Sequence, residues 1–244
     1  MKNIKLILQY DGSQYHGFQI QPDVVTIQSV LQNTLKEITG EDIKVNGCSR
    51  TDAGVHAMRY CAGFVTESPI PAERFSIVMN NYLPSDIRVV SSSLEPDDFH
   101  PRFSVKSKQY VYTILNSDKI SVFSRNYVWQ ISSKLDVNLM NKAAAYIIGE
   151  KDFRSFMTAG AQVESTVRNV MSLDVKKEGD TIKIYIEADG FLYNMVRIIT
   201  GTLVWAGEGR IAPEDVKEII LKKDRAYAGP TAPPQGLALN EIYY

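Results

Sequence analysis

Residues 48–57 read CSRTDAGVHA and bring Arg50, Asp52 and His56 into one short run, in which Asp52 is the only acid. An Asp in a loop commonly forms a turn or a cap, because its side chain bonds backbone two residues on. Two neighbours give it more scope. Arg50, two positions away, favours the charged carboxylate if the side chains meet, and Gly54 lets the backbone come close to a partner or ligand. An ionised, hydrogen-bonded carboxylate without metal-ligand neighbours suggests either a covalent nucleophile or a structural ion pair. Residue chemistry alone leaves that fork open.

Metal chemistry is weighed at the same place. Cys48 and Cys61 flank the run and His56 lies between them, but three candidate ligands without a clear fourth make a poor zinc site. The two cysteines read instead as small buried strand residues. An aspartyl hydrolase would normally call for a metal or a second acid, and the run offers neither.

The elements that must position this loop follow from periodicity. IKLILQY (4–10) alternates as a strand and ends in the turn signal Asp11-Gly12. Residues 26–40 carry apolar side chains at Ile27, Val30, Leu31, Leu35 and Ile38, a helical spacing opened by Thr26 and closed by Gly40. IKVNGC (43–48) and YCAGFVT (60–66) read as strands, Pro71 starts a second helix that Pro84 stops, and IRVVSSSL (87–94) is a fourth strand. The order is β-α-β-β-α-β. The second half repeats it with a strand at 108–115, a helix capped by Asp136, and a hairpin of 167–177 with 180–188 around Glu178-Gly179. An apolar helix over 191–207, a short helix over 213–224 and a strand over 236–244 follow.

That order is the ferredoxin-like split βαβ, met twice. It predicts an α+β protein of two RRM-like halves, 1–103 and 104–244, joined near residues 96–107. The halves would share a mixed, largely antiparallel sheet, helices on one side, with a catalytic cleft between them. Sandwiches of this kind often bind RNA on the sheet face, an analogy that assigns no function by itself.

Composition sets the outer bounds. The chain has 244 residues, 44% of them hydrophobic, enough for a sizeable core. No apolar run approaches the eighteen or so residues of a membrane span, and MKNIKLILQYDG enters a strand pattern without an h-region or cleavage site. A cytoplasmic protein is expected, with no membrane partner. With 27 Lys and Arg against 28 Asp and Glu the net charge is −1, so any nucleic-acid surface must be a local gathering of positive charge.

The quoted segments resemble a known family. CSRTDAGVHA is similar to the GRTDAGVHA signature of the tRNA pseudouridine synthase A (TruA) family. YDGSQYHGFQIQP (10–22) and DDFHPRFSVKSKQYVYTI (97–114) resemble its DGSxYxGWQ and DDFHARFSAxxRxYxYxI blocks, and DFRSFMTAG (152–160), VRNV (167–170) and FLYNMVRIITG (191–201) match later blocks in order. Phe18 stands where the family commonly has Trp, and Cys48-Ser49 replaces the usual small residues before Arg50.

The resemblance implies the pseudouridine synthase fold and isomerisation of uridine to pseudouridine at positions 38, 39 and 40 of the tRNA anticodon stem-loop, without cofactor or metal. It implies Asp52 as nucleophile and Arg50 as the basic residue that holds the site and helps displace the base. Tyr110 falls on the active-site tyrosine, and Arg197 on the residue that pairs with the catalytic Asp. Phe191 and Leu192, ahead of Arg197 on the same helix, suit the apolar wall of a uracil pocket or plain packing. Asp11 and Tyr15 are expected at the cleft border, Asp11 alternatively as a cap. His56 touches RNA phosphate or orients the loop. Arg102, Lys106 and Lys108 are candidates for the RNA backbone, while Arg154 and Arg168 face the cleft or form ion pairs. A homodimer is implied, one chain positioning the tRNA for the other. The competing expectation is a non-catalytic, RRM-like tRNA-binding module in which Asp52 and Arg50 only shape a loop.

Overall fold

The computed structural model describes residues 1–119, 121–160 and 163–244. They form two compact units, Met1–Lys106 with Ala238–Tyr244, and Ser107–Leu237. Each is a mixed α+β assembly with a sheet and flanking helices.

The first unit opens with β1 (Lys2–Tyr10), α1 (Ile27–Thr39), β2 (Asn46–Gly47), β3 (His56–Thr66), α2 (Phe75–Asn80) and β4 (Ile87–Glu95). The second contains β5 (Ser107–Asn116), β6 (Trp129–Ile131), α3 (Val137–Ala145), β7 (Gly149–Asp152), β8 (Val167–Glu178), β9 (Thr181–Ala188), α4 (Met195–Gly207) and α5 (Asp215–Lys222). A last strand, β10 (Leu237–Tyr243), rejoins the first unit, where Ala238 pairs with His56 in a parallel register with β3.

In the first unit β1 runs antiparallel to both β3 and β4. Its alternation is that of a strand with one buried face: Ile4, Leu6 and Leu8 are fully buried, and Lys5, Ile7 and Gln9 are more accessible. The helical spacing of Ile27, Leu31 and Leu35 puts all three in the core. Thr26 and Ser29 form a reciprocal capping box at the start of α1, and Gly40, at φ 77°, ends it in the left-handed conformation.

The second unit pairs β5 with β9, β9 with β8, and β8 with β7, all antiparallel, with β6 parallel to β5. Along β9, Ile182, Ile184, Ile186 and Ala188 are buried. Asp136 caps α3 by accepting from the backbone N–H groups of Asn138 and Leu139, and α3 packs on β8 and α4. Helix α4 is buried along most of its length, as its apolar sequence requires.

Several expectations change. The strand expected over 43–48 contracts to Asn46–Gly47 because α1 satisfies the backbone of Val45 instead: Gln32 accepts from its N–H at 3.1 Å and Gln28 donates to its carbonyl at 2.7 Å. The helix expected from Pro71 begins as a 3-10 turn, Ala72–Arg74, before α2. Helix α4 starts at Met195, not 191, because Asn194 takes φ 60° and breaks the turn, so Phe191 and Leu192 lie ahead of the helix that carries Arg197. Strands β6 and β7 are additional. Among the described residues no helix is long and apolar enough to cross a membrane.

Candidate active site

Asp52 sits in the loop between β2 and β3, half-buried, with Arg50 exposed beside it. The backbone of this loop is pinned on both sides. The N–H of Cys48 donates to the carbonyl of Cys61 on β3 at 2.9 Å, and the buried hydroxyl of Tyr60 donates to the Ser49 carbonyl. The Thr51 carbonyl accepts from the N–H of Phe18 at 3.3 Å, and its hydroxyl lies 2.9 Å from that of Tyr10. The Asp52 carbonyl accepts from the N–H of Val55, and the N–H of Gly54 donates to the Tyr15 carbonyl, both at 3.2 Å. Phe18 stacks on Tyr60 with centroids 4.4 Å apart. The segment 11–18 thus lies directly on the loop. Its approach is closer than any side chain permits: a Cβ on Gly17 would stand 2.2 Å from the Thr51 carbonyl oxygen, at a φ of 80° that itself favours glycine.

The neighbouring polar groups are engaged in the same packing. Nδ1 of His56 accepts the N–H of Gly12 at 3.0 Å. Asp11 Oδ1 lies 3.1 Å from that nitrogen and accepts from the backbone and hydroxyl of Ser13 at 2.9 and 2.6 Å, so Asp11 is a cap at the 3-10 turn Gly12–Gln14. The buried Tyr15 donates its hydroxyl to Asp86 at 2.7 Å. Burial and the Asp86 carboxylate push that hydroxyl well above the usual tyrosine range, so it stays a donor. Burial also pushes the Cys61 thiol up, to about 11.

In the second unit Tyr110 projects from β5 opposite Ile186 of β9 and is buried against Phe191, whose ring meets it edge-on at 5.1 Å. Leu192 is buried, and Phe191 is half-exposed. Arg197, on the first turn of α4, donates from Nε to the Ala232 carbonyl at 2.7 Å and from Nη1 to Asn194 Oδ1 at 2.6 Å. Asn194 in turn donates to the Thr158 hydroxyl at 2.8 Å. The segment that supplies Ala232 crosses α4 at close range. A Cβ on Gly201 would stand 1.9 Å from the Pro230 carbonyl oxygen, and Thr202 accepts from the N–H of Gly229 at 2.9 Å.

The remaining basic residues are spread over both units. Arg102 is exposed with its guanidinium 5.8 Å from the Phe103 ring centre; Lys106 is exposed and donates to the Tyr244 carbonyl at 3.0 Å; Lys108 is half-buried on β5. Arg168 donates to the carbonyls of Ser165 and Val167 at 3.0 and 2.5 Å. Arg154 is exposed and lines a cavity of about 610 Å³ with Thr166, Lys223 and Arg225. Lys223 of that lining pairs with Asp152 at 3.0 Å. Burial opposes ionisation of Asp152, but hydrogen bonds from Thr166, Lys223 and the Arg154 backbone outweigh it and hold the carboxyl below its usual range.

Sequence reasoning missed the residues that support the candidate side chains: Phe18 and Tyr60 under the Asp52 loop, and Asn194 and Ala232 around Arg197. The usable signals were a glycine inside the apolar helix and the run AGPTAPP at 228–234, which marks rigid chain with few N–H donors.

A family model described as tRNA pseudouridine synthase matches residues 6–104 and 143–244. Proteins named tRNA pseudouridine synthase A from Thermoanaerobacter sp. (strain X514) and Clostridium acetobutylicum are 48% and 47% identical to this chain, each over 244 residues and the whole of both sequences. One of the same name from Acetivibrio thermocellus is 44% identical over 245 residues, again covering both in full.

Proposed function

This chain belongs to the tRNA pseudouridine synthase family, and we propose that it acts on the anticodon stem-loop with Asp52 as its nucleophile. It is an isomerase that converts uridine to pseudouridine in tRNA. The finer reading places its targets at positions 38, 39 and 40. The glycosidic C1′–N1 bond breaks, the uracil turns, a C1′–C5 bond forms and the C5 proton moves to nitrogen. Atoms and electrons balance within the substrate, so the reaction calls for no redox partner or group donor. Whether the carboxylate adds first at C1′ or at C6, it must be ionised and aimed, and the base must leave its stack.

The observation that carries this reading is the Asp52 loop itself. Its backbone is fixed at Ser49, Thr51, Asp52 and Gly54 while Asp52 remains partly accessible and Arg50 is exposed at its side. A rigid backbone under an accessible carboxylate is what a preorganised nucleophile needs. Arg50 favours the ionised form and follows the displaced base. Tyr110 offers a ring for the uracil and a hydroxyl for moving the C5 proton. Arg197, its guanidinium oriented by Asn194 and Ala232, supplies fixed positive charge for the carboxylate. The first half, 1–103, brings the nucleophile, and the second, 104–244, brings Tyr110 and Arg197. Arg102, Lys106, Lys108, Arg154 and Arg168 hold RNA phosphates, positioning without reading sequence. The working form is a cytoplasmic homodimer, each copy presenting tRNA to the other.

The test is a pseudouridine assay on an unmodified tRNA with uridines at 38–40, with chelator present, wild type beside Asp52→Ala. Product from wild type alone supports the reading. Tight binding with product from neither would make the protein a non-catalytic tRNA-binding module.

A further inference from the structure

The loop after β4 presents an aromatic ring that the chemistry above does not use. Phe103 is 78% exposed. Burial of an apolar ring is favourable, and this one forgoes it almost completely. It is nonetheless held in place. The His100 ring lies 4.4 Å away at 35°, and the Arg102 guanidinium 5.8 Å from its centre. His100 Nδ1 accepts the N–H groups of Arg102 and Phe103 at 3.1 and 3.4 Å, the His100 N–H donates to the Ser104 hydroxyl at 3.1 Å, and the Ser104 N–H donates to the His100 carbonyl at 3.0 Å. A closed turn therefore pushes a preordered ring outward, with Arg102 beside it and Lys106 three residues on.

We propose that Phe103 is a stacking platform for an unpaired nucleotide of the bound tRNA, with Arg102 and Lys106 holding the flanking phosphates. This rests on the tRNA-modifying function above and names a contact within it. An exposed ring beside cations matches the two faces of a single-stranded nucleotide, a flat base and a charged phosphate, and stacking accepts any base. A protein partner would leave the adjacent cations without a purpose of this kind, whereas RNA uses both groups.

The experiment measures binding of an unmodified anticodon stem-loop RNA, and of a fully paired duplex of the same length, to wild type, Phe103→Leu and Phe103→Trp. Stacking predicts that Phe103→Leu weakens stem-loop binding about tenfold, leaves duplex binding unchanged and keeps the salt dependence of wild type. Phe103→Trp should bind as wild type does, with its added indole fluorescence quenched by the stem-loop but not by the duplex. Arg102→Ala, in contrast, should flatten the salt dependence. Wild-type affinity in Phe103→Leu, equal losses for stem-loop and duplex, or an indole indifferent to the stem-loop would each overturn the proposal. Absence of pseudouridine from wild-type reactions would instead overturn the function on which it rests.

Discussion

The Asp52 loop and the first half of α4 are both held by a second stretch of backbone that comes closer than a side chain allows, at Gly17 and at Gly201. They differ in what is held. Around Asp52 the described contacts fix the backbone on either side, through Ser49, Thr51 and Gly54. At α4 the crossing segment grips the functional side chain itself, its Ala232 carbonyl taking the Nε–H of Arg197. The nucleophile proposed at Asp52 has to change partners during the reaction, so it is best positioned through its frame. A fixed cation has one task, and tying its own side chain reduces the rotamer freedom that a long side chain would otherwise lose on binding.

The largest expected effect tests the first half of that contrast. Asp52→Ala should lower pseudouridine formation at least about a thousandfold while tRNA affinity, measured by filter binding, stays near wild type. Gly17→Ala touches no reacting group, yet its Cβ meets the Thr51 carbonyl and its φ disfavours any side chain. It should cost about 3 kcal/mol, and activity and Tm in a thermal melt should fall together; a drop in activity alone would mean the loop is not held from behind. Arg197→Lys reverses the pattern. Lysine carries the charge but cannot reach both Ala232 and Asn194 with a planar fork, so turnover should fall about tenfold, or about 1.4 kcal/mol, with less change in Tm than Gly17→Ala. Tyr60→Phe removes the hydroxyl under Ser49 and should cost about 1 kcal/mol, read as a Tm lower by about 2–4 °C.

The smallest effect concerns pH. The Cys61 thiol is raised by burial from 9.0 to about 11 in the folded chain. Between those values the unfolded chain has given up a proton that the folded chain keeps. Its contribution to stability is therefore complete below pH 9 and declines as pH rises towards 11. Denaturant melts across that window should show the decline, and Cys61→Ser should lessen it between pH 9 and 10, below the range in which the buried Tyr15 hydroxyl adds a decline of the same sign.

How much of this could be read beforehand depends on how local each cause is. The helix over 26–40 is legible because its caps, Thr26 and Gly40, and its apolar stripe all lie in the same stretch. The hairpin of β8 and β9 is legible through Gly179, which turns at φ 58°. The start of α4 is not: one asparagine in a left-handed conformation shortens the helix, and nothing in the apolar pattern marks it. Nor is the fate of Val45, whose backbone is satisfied by glutamines of a helix. At the site, Asp52 and Arg50 stand out through their motif. Tyr60 and Phe18 read only as strand and loop residues until the stacked pair beneath the loop is seen.

The parallel pairing of Ala238 with His56 has a consequence for synthesis. Strand β3 begins at the end of the Asp52 loop, and its neighbour at His56 and Ala57 is translated only after the second unit, Ser107–Leu237. While the second unit is being made, β1, β2, β3 and β4 can already pair, but the start of β3, at His56 and Ala57, keeps one edge open. An open edge is a template for pairing with another chain, and closing it requires a contact of very large sequence separation, which is slow to form. The nascent enzyme thus passes through a period with the Asp52 loop already translated and its frame still unfinished, which is when a chaperone would matter most to it.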